Sequence, residues 1–149
     1  MIGLRFREQL QGSYHRIEAP LDERPLEGSF EGYLGVGAVL RNQVIPIRGE
    51  ITLPGFADRA PFAGTLVLKL LREQRLPYEF AFTGNDGRPY RFFAQKNYSL
   101  LSVTDRHNLF AASIYDQSGN EEARASCLFD VARDLYDLVR SLRFSLSPA

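Results

Sequence analysis

The sequence predicts a mainly β, single-domain protein in which one antiparallel meander forms a barrel or a sandwich and one C-terminal α-helix follows. Apolar and polar residues alternate with a period of two over most of the chain. Turn-forming residues interrupt this alternation at short intervals. Helical spacing occurs only in the last segment, at Val131, Leu135, Leu138 and Leu142.

A first strand with one buried face is predicted at residues 2–17, where the alternation runs through Leu4, Phe6, Glu8 and Leu10. Residues 18–28 contain two prolines and several charges, and they predict a loop. Two strands follow at residues 30–40 and 43–53. The polar pair Arg41-Asn42 between them suits a tight hairpin turn.

Residues 54–61 begin with Pro-Gly and predict a second loop. Residues 62–71 are mostly apolar and predict a strand. A helix is the alternative for this segment, but Gly64, Thr65 and Val67 disfavour it because glycine and β-branched residues have low helix propensity.

Two runs of alternating aromatic residues flank Asp86-Gly87, and together they give the clearest local prediction in the chain, a β-hairpin. The aromatic positions are Tyr78, Phe80, Phe82, Tyr90 and Phe92. We expect a tight turn of primed geometry in which Gly87 has a positive φ.

The C-terminal third predicts three more strands, at residues 100–104, 109–116 and 123–130, because turn-forming residues separate these apolar runs. Asp130 is a suitable N-cap for the helix predicted at residues 131–142. No repeat or linker divides the chain, so residues 1–149 are predicted to form a single barrel-like domain.

The charge balance and the cysteine content limit the functions that the chain can be expected to have. Eighteen basic residues balance eighteen acidic ones among 149 residues, so no net field attracts nucleic acid or an anionic membrane. Cys127 is the single cysteine, which excludes an intramolecular disulfide and predicts a small buried side chain. The N-terminal residues carry charges where a signal peptide is apolar, so we expect a cytoplasmic protein without a membrane span.

The sequence matches none of the common motifs for phosphate binding, zinc binding or nucleophilic catalysis. The glycines at positions 32, 35 and 37 fit no phosphate-binding loop, and the two histidines show no zinc-ligand spacing. Ser102, Asp105 and His107 could be assembled into a triad on paper, but no nucleophile elbow accompanies them. We therefore expect no catalytic residue, no metal site and no cofactor.

The aromatic residues of the predicted hairpin allow two interpretations. They either pack a solid core or line a cavity for one small apolar ligand. For the second interpretation the predicted ligand-binding residues are Tyr78, Tyr90, Phe92 and Lys96, because they combine apolar walls with polar groups.

Several segments resemble the accessory domain that accompanies GMC-type, cholesterol-oxidase-like flavin oxidoreductases and related lipid or sterol enzymes. The similar segments are Ile47-Arg-Gly-Glu-Ile-Thr-Leu-Pro-Gly55, Gly64-Thr-Leu-Val-Leu68, Phe82-Thr-Gly-Asn-Asp-Gly-Arg-Pro-Tyr90 leading to Lys96, and residues 128–144. Ala94 stands where the family has glycine, and residues 105–109 replace a threonine-rich stretch.

The resemblance implies a partner class rather than a reaction, because the chain has no flavin-binding segment to carry oxidoreductase activity. We expect a non-catalytic module that binds a small apolar ligand of the lipid or sterol class, or that works beside a lipid-modifying enzyme. The alternative is a small standalone enzyme with a cryptic site in the mouth of the barrel.

Overall fold

The computed structural model describes residues 3–35, 44–67, 75–97 and 109–130. These residues form eight β-strands in chain order. The strands are β1 (Gly3–Arg16), β2 (Arg24–Gly35), β3 (Val44–Leu53), β4 (Ala57–Val67), β5 (Arg75–Thr83), β6 (Pro89–Asn97), β7 (Leu109–Tyr115) and β8 (Glu121–Asp130).

The eight strands close into an antiparallel up-and-down barrel. Each strand pairs with the next, and β8 pairs with β1 from Gln9 opposite Asp130 to Arg16 opposite Ala123. Of the two predicted architectures the barrel is therefore confirmed and the sandwich is wrong. The strand predicted at residues 100–104 and the helix at 131–142 lie outside the described residues. Within the four described ranges, no helix has the length and apolar character needed to cross a membrane.

The hydrophobic core is the interior of the barrel, because side chains in a strand alternate between its two faces. On β5, Phe80 and Phe82 are buried while Ala81 is exposed. The same alternation holds on β6, where Phe92 is buried and Arg91 is exposed. The aromatic runs of the sequence thus point into the barrel, as the hairpin prediction required.

Two predicted loops are shorter in the structure than the sequence suggests, because β2 begins at Arg24 and β4 at Ala57. At both places a proline inside the strand was the reason that the sequence predicted a loop. Pro25 pairs with β1, but the pairing of β2 with β3 begins two residues later. Pro61 pairs with β3, and the pairing of β4 with β5 begins one residue later. A strand that is paired on one side only tolerates a residue without an N–H donor.

The β5–β6 connection confirms one part of the turn prediction and corrects the other. Gly87 has φ of 77°, and its N–H donates to the Gly84 carbonyl at 3.0 Å. A type I′ two-residue turn requires a positive φ at both central positions. Asp86 does not have a positive φ. The connection is a longer loop closed by the Gly84 N–H and the Arg88 carbonyl, with a left-handed glycine next to the closing residue.

Gly87→Val is expected to lower the free energy of unfolding by more than about 1 kcal/mol, because a β-branched residue is forced into left-handed backbone space. No atom lies within 4 Å of a Cβ built at this position, so the effect isolates backbone strain from crowding. A denaturant titration measures it. A change near zero would show that the loop relaxes to another conformation without loss.

The described connections all lie at one end of the barrel, since alternate connections of a meander share an end. We call this the turn end; it comprises residues 17–23, 54–56, 84–88 and 116–120. The opposite end, which we call the far end, carries the strand termini Gly35, Val44, Val67, Arg75, Asn97 and Leu109. The described connections can therefore cover the interior only at the turn end.

Gly49 and Gly64 are inward positions at which neighbouring strands come close together. A Cβ on Gly49 would lie 1.9 Å from the Ser29 carbonyl oxygen of β2, and a Cβ on Gly64 would lie 2.0 Å from the Glu79 carbonyl oxygen of β5. Such glycines let strands bend sharply at the corners of a small barrel. These two residues therefore set the local curvature of the wall beside the interior aromatic rings.

Candidate functional site

The turn end of the barrel is closed by an aromatic cluster centred on Phe56, which lies in the β3–β4 connection. Its ring lies 4.7 Å from the Tyr90 ring and 6.3 Å from the Tyr14 ring, measured between centroids. The Arg16 guanidinium covers the Phe56 ring from outside at 4.7 Å. The Tyr14 hydroxyl donates to the Pro54 carbonyl, which fixes the connection to β1. This end therefore offers no passage to the interior.

A stack of phenylalanine rings fills the next layer of the interior. The Phe80 ring lies 3.7 Å from the Phe62 ring and 4.5 Å from the Phe92 ring, with interplanar angles of 19° and 13°. Phe30 packs against Phe62 from β2 at 6.2 Å. Here the structure favours the packed-core interpretation of the aromatic pattern, because the rings occupy the interior themselves.

Tyr90 belongs to the closed turn end rather than to an accessible pocket. Its hydroxyl donates to Asp86 Oδ2 at 2.5 Å. Burial, and then the hydrogen bond to this carboxylate, raise the pKa of Tyr90 to about 12. The same hydrogen bond lowers the pKa of Asp86. The pair ties β6 to the hairpin loop and holds the tyrosine neutral in the physiological range.

The Tyr90–Asp86 pair predicts a loss of stability in alkali. Because the pKa of Tyr90 is 10.0 when unperturbed and about 12 in the fold, the native state holds a proton that the unfolded state has lost between these values. Its contribution is complete below pH 10 and disappears as the pH rises to about 12. Tyr90→Phe is expected to make the free energy of unfolding fall less steeply with pH over this window than in the unsubstituted chain, whereas Val44→Ala, which changes an exposed side chain without an ionisable group, should leave the slope unchanged. An unchanged slope in Tyr90→Phe would contradict the assignment.

Farther toward the far end, a carboxyl group enters the interior. Glu8 of β1 is 1% exposed and is the one charged side chain in the buried core of the described residues. It accepts a hydrogen bond of 3.3 Å from the Tyr78 hydroxyl of β5. β1 and β5 are four strands apart in a ring of eight, so this contact spans the interior of the barrel. Phe30 lies beside it, 5.8 Å from the Tyr78 ring.

Comparisons with protein-family models, with curated proteins and with solved structures found no match to this chain. The resemblance to the accessory domain of sterol oxidoreductases therefore stays a prediction.

The structure describes the side chains of three of the four predicted ligand-binding residues, and these three lie at different levels of the barrel. Tyr90 is held at the turn end, and Phe92 lies in the ring stack. Tyr78 lies farther toward the far end and contacts Glu8. Lys96 belongs to β6 opposite Leu76, but its side chain lies outside the described residues. Of the three whose side chains are described, Tyr78 contacts another polar group inside the barrel.

Sequence reasoning did not single out Glu8, although the sequence contained a signal for it. Glu8 shares the alternation of Leu4, Phe6 and Leu10, which predicts the buried face of β1. A carboxylate at an inward position of a barrel strand breaks that pattern. Such departures concentrate at functional sites, because burial of a charge has to be compensated.

Other reactive side chains do not form a second candidate site within the described part of the chain. Burial raises the pKa of the Cys127 thiol to about 12, so this side chain is buried as expected and remains protonated at neutral pH. Among the residues that the structure describes, no three His, Cys, Asp or Glu side chains are grouped to hold a metal ion. Ser102, Asp105 and His107 lie outside the described ranges.

The outer wall carries a shallow groove of about 420 Å³ across β1 to β4, lined in part by Arg5, Tyr33 and Arg48. Glu31 pairs there with Arg7 at 3.8 Å and with Arg48 at 3.9 Å. These charges are exposed, and ion pairs of this kind contribute little to stability. The described charges beside the groove are therefore solvated, in contrast to Glu8 in the interior.

Proposed function

We propose that the chain is a non-catalytic module that binds one small apolar ligand of the lipid or sterol class inside the barrel. The observation that supports this most directly is an apolar interior interrupted by a single buried polar contact, between Glu8 and Tyr78, among the described residues. Eight-stranded barrels have interiors just wide enough for side chains or for one small ligand. Ligand sites are typically apolar with a few converging polar groups.

In this proposal the ligand occupies the part of the interior toward the far end. The ring stack of Phe62, Phe80 and Phe92 fills the part toward the turn end and forms the floor of the site. Tyr78 lies farther toward the far end, with Leu66 and Ala94 as its cross-strand neighbours. Phe92 then contributes to the floor, Tyr90 closes the barrel below it, and Lys96 stays a predicted anchor on β6.

A thermal-shift screen against fatty acids and sterols tests the proposal on the full chain. A ligand present at 100 times its dissociation constant stabilises the native state by about 2.7 kcal/mol, which is easily measured. Absence of any shift with every fatty acid and sterol would contradict ligand binding and leave only the role beside a lipid-modifying enzyme.

A pair of matched variants shows whether a ligand that binds lies inside the barrel. Ala94→Leu adds volume to the interior next to Tyr78, since Ala94 is fully buried. Ala81→Leu makes the same chemical change on the exposed face of β5. We expect Ala94→Leu to remove or strongly reduce the ligand-induced shift and Ala81→Leu to preserve it. Equal shifts in both variants would place the ligand elsewhere.

A second candidate, the small standalone enzyme, has one observation in its favour. A carboxyl and a phenol hydroxyl inside an apolar interior are group types used in general acid–base catalysis. The two functions differ in what happens to the ligand. Mass spectrometry of the ligand recovered after prolonged incubation should show it unchanged if the chain only binds, whereas a new mass would support an enzyme.

A further inference from the structure

We infer that Asp86 is a site of spontaneous isomerisation to isoaspartate, and that the Tyr90 hydroxyl holds this reaction back while the hairpin loop is closed. Asp86-Gly87 is the one Asp-Gly pair among the 149 residues, and no Asn-Gly pair occurs. Because glycine has no side chain, its nitrogen reaches the carboxyl carbon of the preceding aspartate with the least obstruction. The inference does not depend on whether the barrel binds a ligand.

The reaction uses only the chain and water. The Gly87 nitrogen gives up its proton and forms a bond to Cγ of Asp86, and the carboxyl hydroxyl leaves with that proton as water. The product is a five-membered succinimide ring. Addition of one water molecule opens either of the two ring C–N bonds and gives an aspartyl or an isoaspartyl peptide, so the mass of the chain does not change.

The position of the pair in the loop leaves room for this ring. Asp86 and Gly87 are both exposed. No described atom lies within 4 Å of a Cβ built on Gly87. Water therefore reaches the reacting groups, and crowding does not prevent the reaction.

Hydrogen bonds hold the reacting atoms apart in the closed loop. The Gly87 N–H donates to the Gly84 carbonyl at 3.0 Å. The two carboxylate oxygens of Asp86 accept from the Arg88 N–H at 3.0 Å and from the Tyr90 hydroxyl at 2.5 Å. Cyclisation requires the nitrogen and the carboxyl group to leave these partners and to turn toward each other. The Tyr90 hydroxyl is the partner that a single substitution removes without changing the backbone.

The same contacts keep Asp86 in its less reactive charge state. The Tyr90 hydrogen bond, and then the Arg88 N–H, lower the pKa of the Asp86 carboxyl. A protonated carboxyl can release water as the ring forms, whereas a carboxylate has no such leaving group. Tyr90 therefore opposes the reaction twice, by holding the carboxyl in place and by favouring its ionised form.

Isomerisation would in turn loosen the closed turn end. In isoaspartate the main chain runs through Cβ and Cγ of residue 86, so the side-chain carboxylate that accepts from Tyr90 is consumed. The neighbouring Asn85 N–H donates to the Phe56 carbonyl at 2.8 Å, which ties the same loop to the aromatic cluster. We therefore expect the isomerised chain to melt at a lower temperature than the original one.

The experiment follows the full chain during incubation at mildly acidic pH and physiological temperature. Peptide mapping by mass spectrometry with electron-transfer fragmentation quantifies isoaspartate at position 86. We expect the native chain to isomerise at least about tenfold more slowly than the same chain in guanidinium, since each strong hydrogen bond that has to open slows the reaction. Tyr90→Phe should isomerise at least about threefold faster than the native chain under native conditions.

Two control variants separate this role of Tyr90 from a general loss of stability. Tyr115→Phe makes the same chemical change on β7, where the tyrosine ring lies under the Arg91 guanidinium. Phe62→Leu weakens the ring stack in the buried core. Neither residue contacts Asp86 through a described hydrogen bond, and both variants should isomerise at the rate of the unsubstituted chain.

An equal acceleration in Phe62→Leu and Tyr90→Phe would overturn the inference, because global unfolding would then control the rate. An unchanged rate in Tyr90→Phe, or equal rates in the native and the denatured chain, would overturn it as well. Loss of folding in Tyr90→Phe, seen by circular dichroism, would assign the hydroxyl to the fold and also contradict it. An isomerised chain that melts at the original temperature would show that Asp86 does not help to close the turn end.

Discussion

Phe80→Ala is expected to lower the free energy of unfolding by about 3–5 kcal/mol, the range for truncating a fully buried phenylalanine. The Phe80 ring is 2% exposed and lies between Phe62 and Phe92, in near-parallel contact with both. Its removal deletes two ring contacts as well as the buried apolar surface of the side chain itself. No other single truncation in the described core interrupts this stack at its centre.

The loss should lie in the upper part of that range because the barrel wall resists collapse. β5 is hydrogen-bonded to β4 on one side and to β6 on the other, so the backbone cannot move inward to fill the space. Val44→Ala is the control, since Val44 is 57% exposed on the outer face of β3. Guanidinium titration followed by far-UV circular dichroism measures both variants. A loss below about 1 kcal/mol for Phe80→Ala would mean that the ring does not fill the interior.

Gly64→Ala is expected to lower the free energy of unfolding by at least about 3 kcal/mol, although it adds one methyl group. The new Cβ would lie 2.0 Å from the Glu79 carbonyl oxygen and 2.4 Å from the Phe80 Cα. Both are backbone atoms of β5, so no side-chain rotation relieves the overlap. The strands must separate at the middle of their described pairing, which runs from Phe62 to Leu66 on β4.

Gly87→Ala separates this steric effect from backbone strain. Gly87 has a positive φ but no atom within 4 Å of a built Cβ, so alanine there meets an unfavourable backbone conformation without a clash. We expect a loss of about 1 kcal/mol. Denaturant titrations of the two variants should therefore give the larger loss for Gly64→Ala. The reverse order would show that β4 and β5 adjust to the added methyl group more readily than the geometry suggests.

Strand direction, alternation and the general architecture were predictable from sequence, because they depend on local patterns. The aromatic runs on β5 and β6 fixed which residues face inward, and glycine next to Asp86 marked the hairpin between them. Closure of the barrel requires the pairing of β1 with β8. That contact joins residues more than a hundred positions apart, and no local pattern encodes it.

The errors in strand boundaries share one physical cause. Pro25 and Pro61 resemble loop residues because proline lacks the N–H donor that a strand paired on both sides requires. In a barrel the strands are staggered, so each strand has stretches with one partner. The prolines occupy those stretches. The stagger is a property of the closed sheet, so it cannot be predicted from one segment at a time.

The candidate site was predictable only in part. Tyr78 emerged from the aromatic pattern, but its contact with Glu8 joins β1 to β5 across 70 residues of sequence. The sequence places Glu8 on the inward face of β1, yet a single carboxylate in an alternating strand equally suits a solvated position. Only the arrangement of the barrel shows that its carboxyl group points at a tyrosine on the opposite wall.

The Phe56 cluster has a consequence for how molecules exchange with the interior. No molecule can pass between the solvent and the interior through the turn end. Arg16 over Phe56, together with the Asn85 N–H donating to the Phe56 carbonyl at 2.8 Å, seals the turn end. On the proposed binding function, a bound molecule would therefore have to be exchanged with a second protein at another part of the barrel than the turn end.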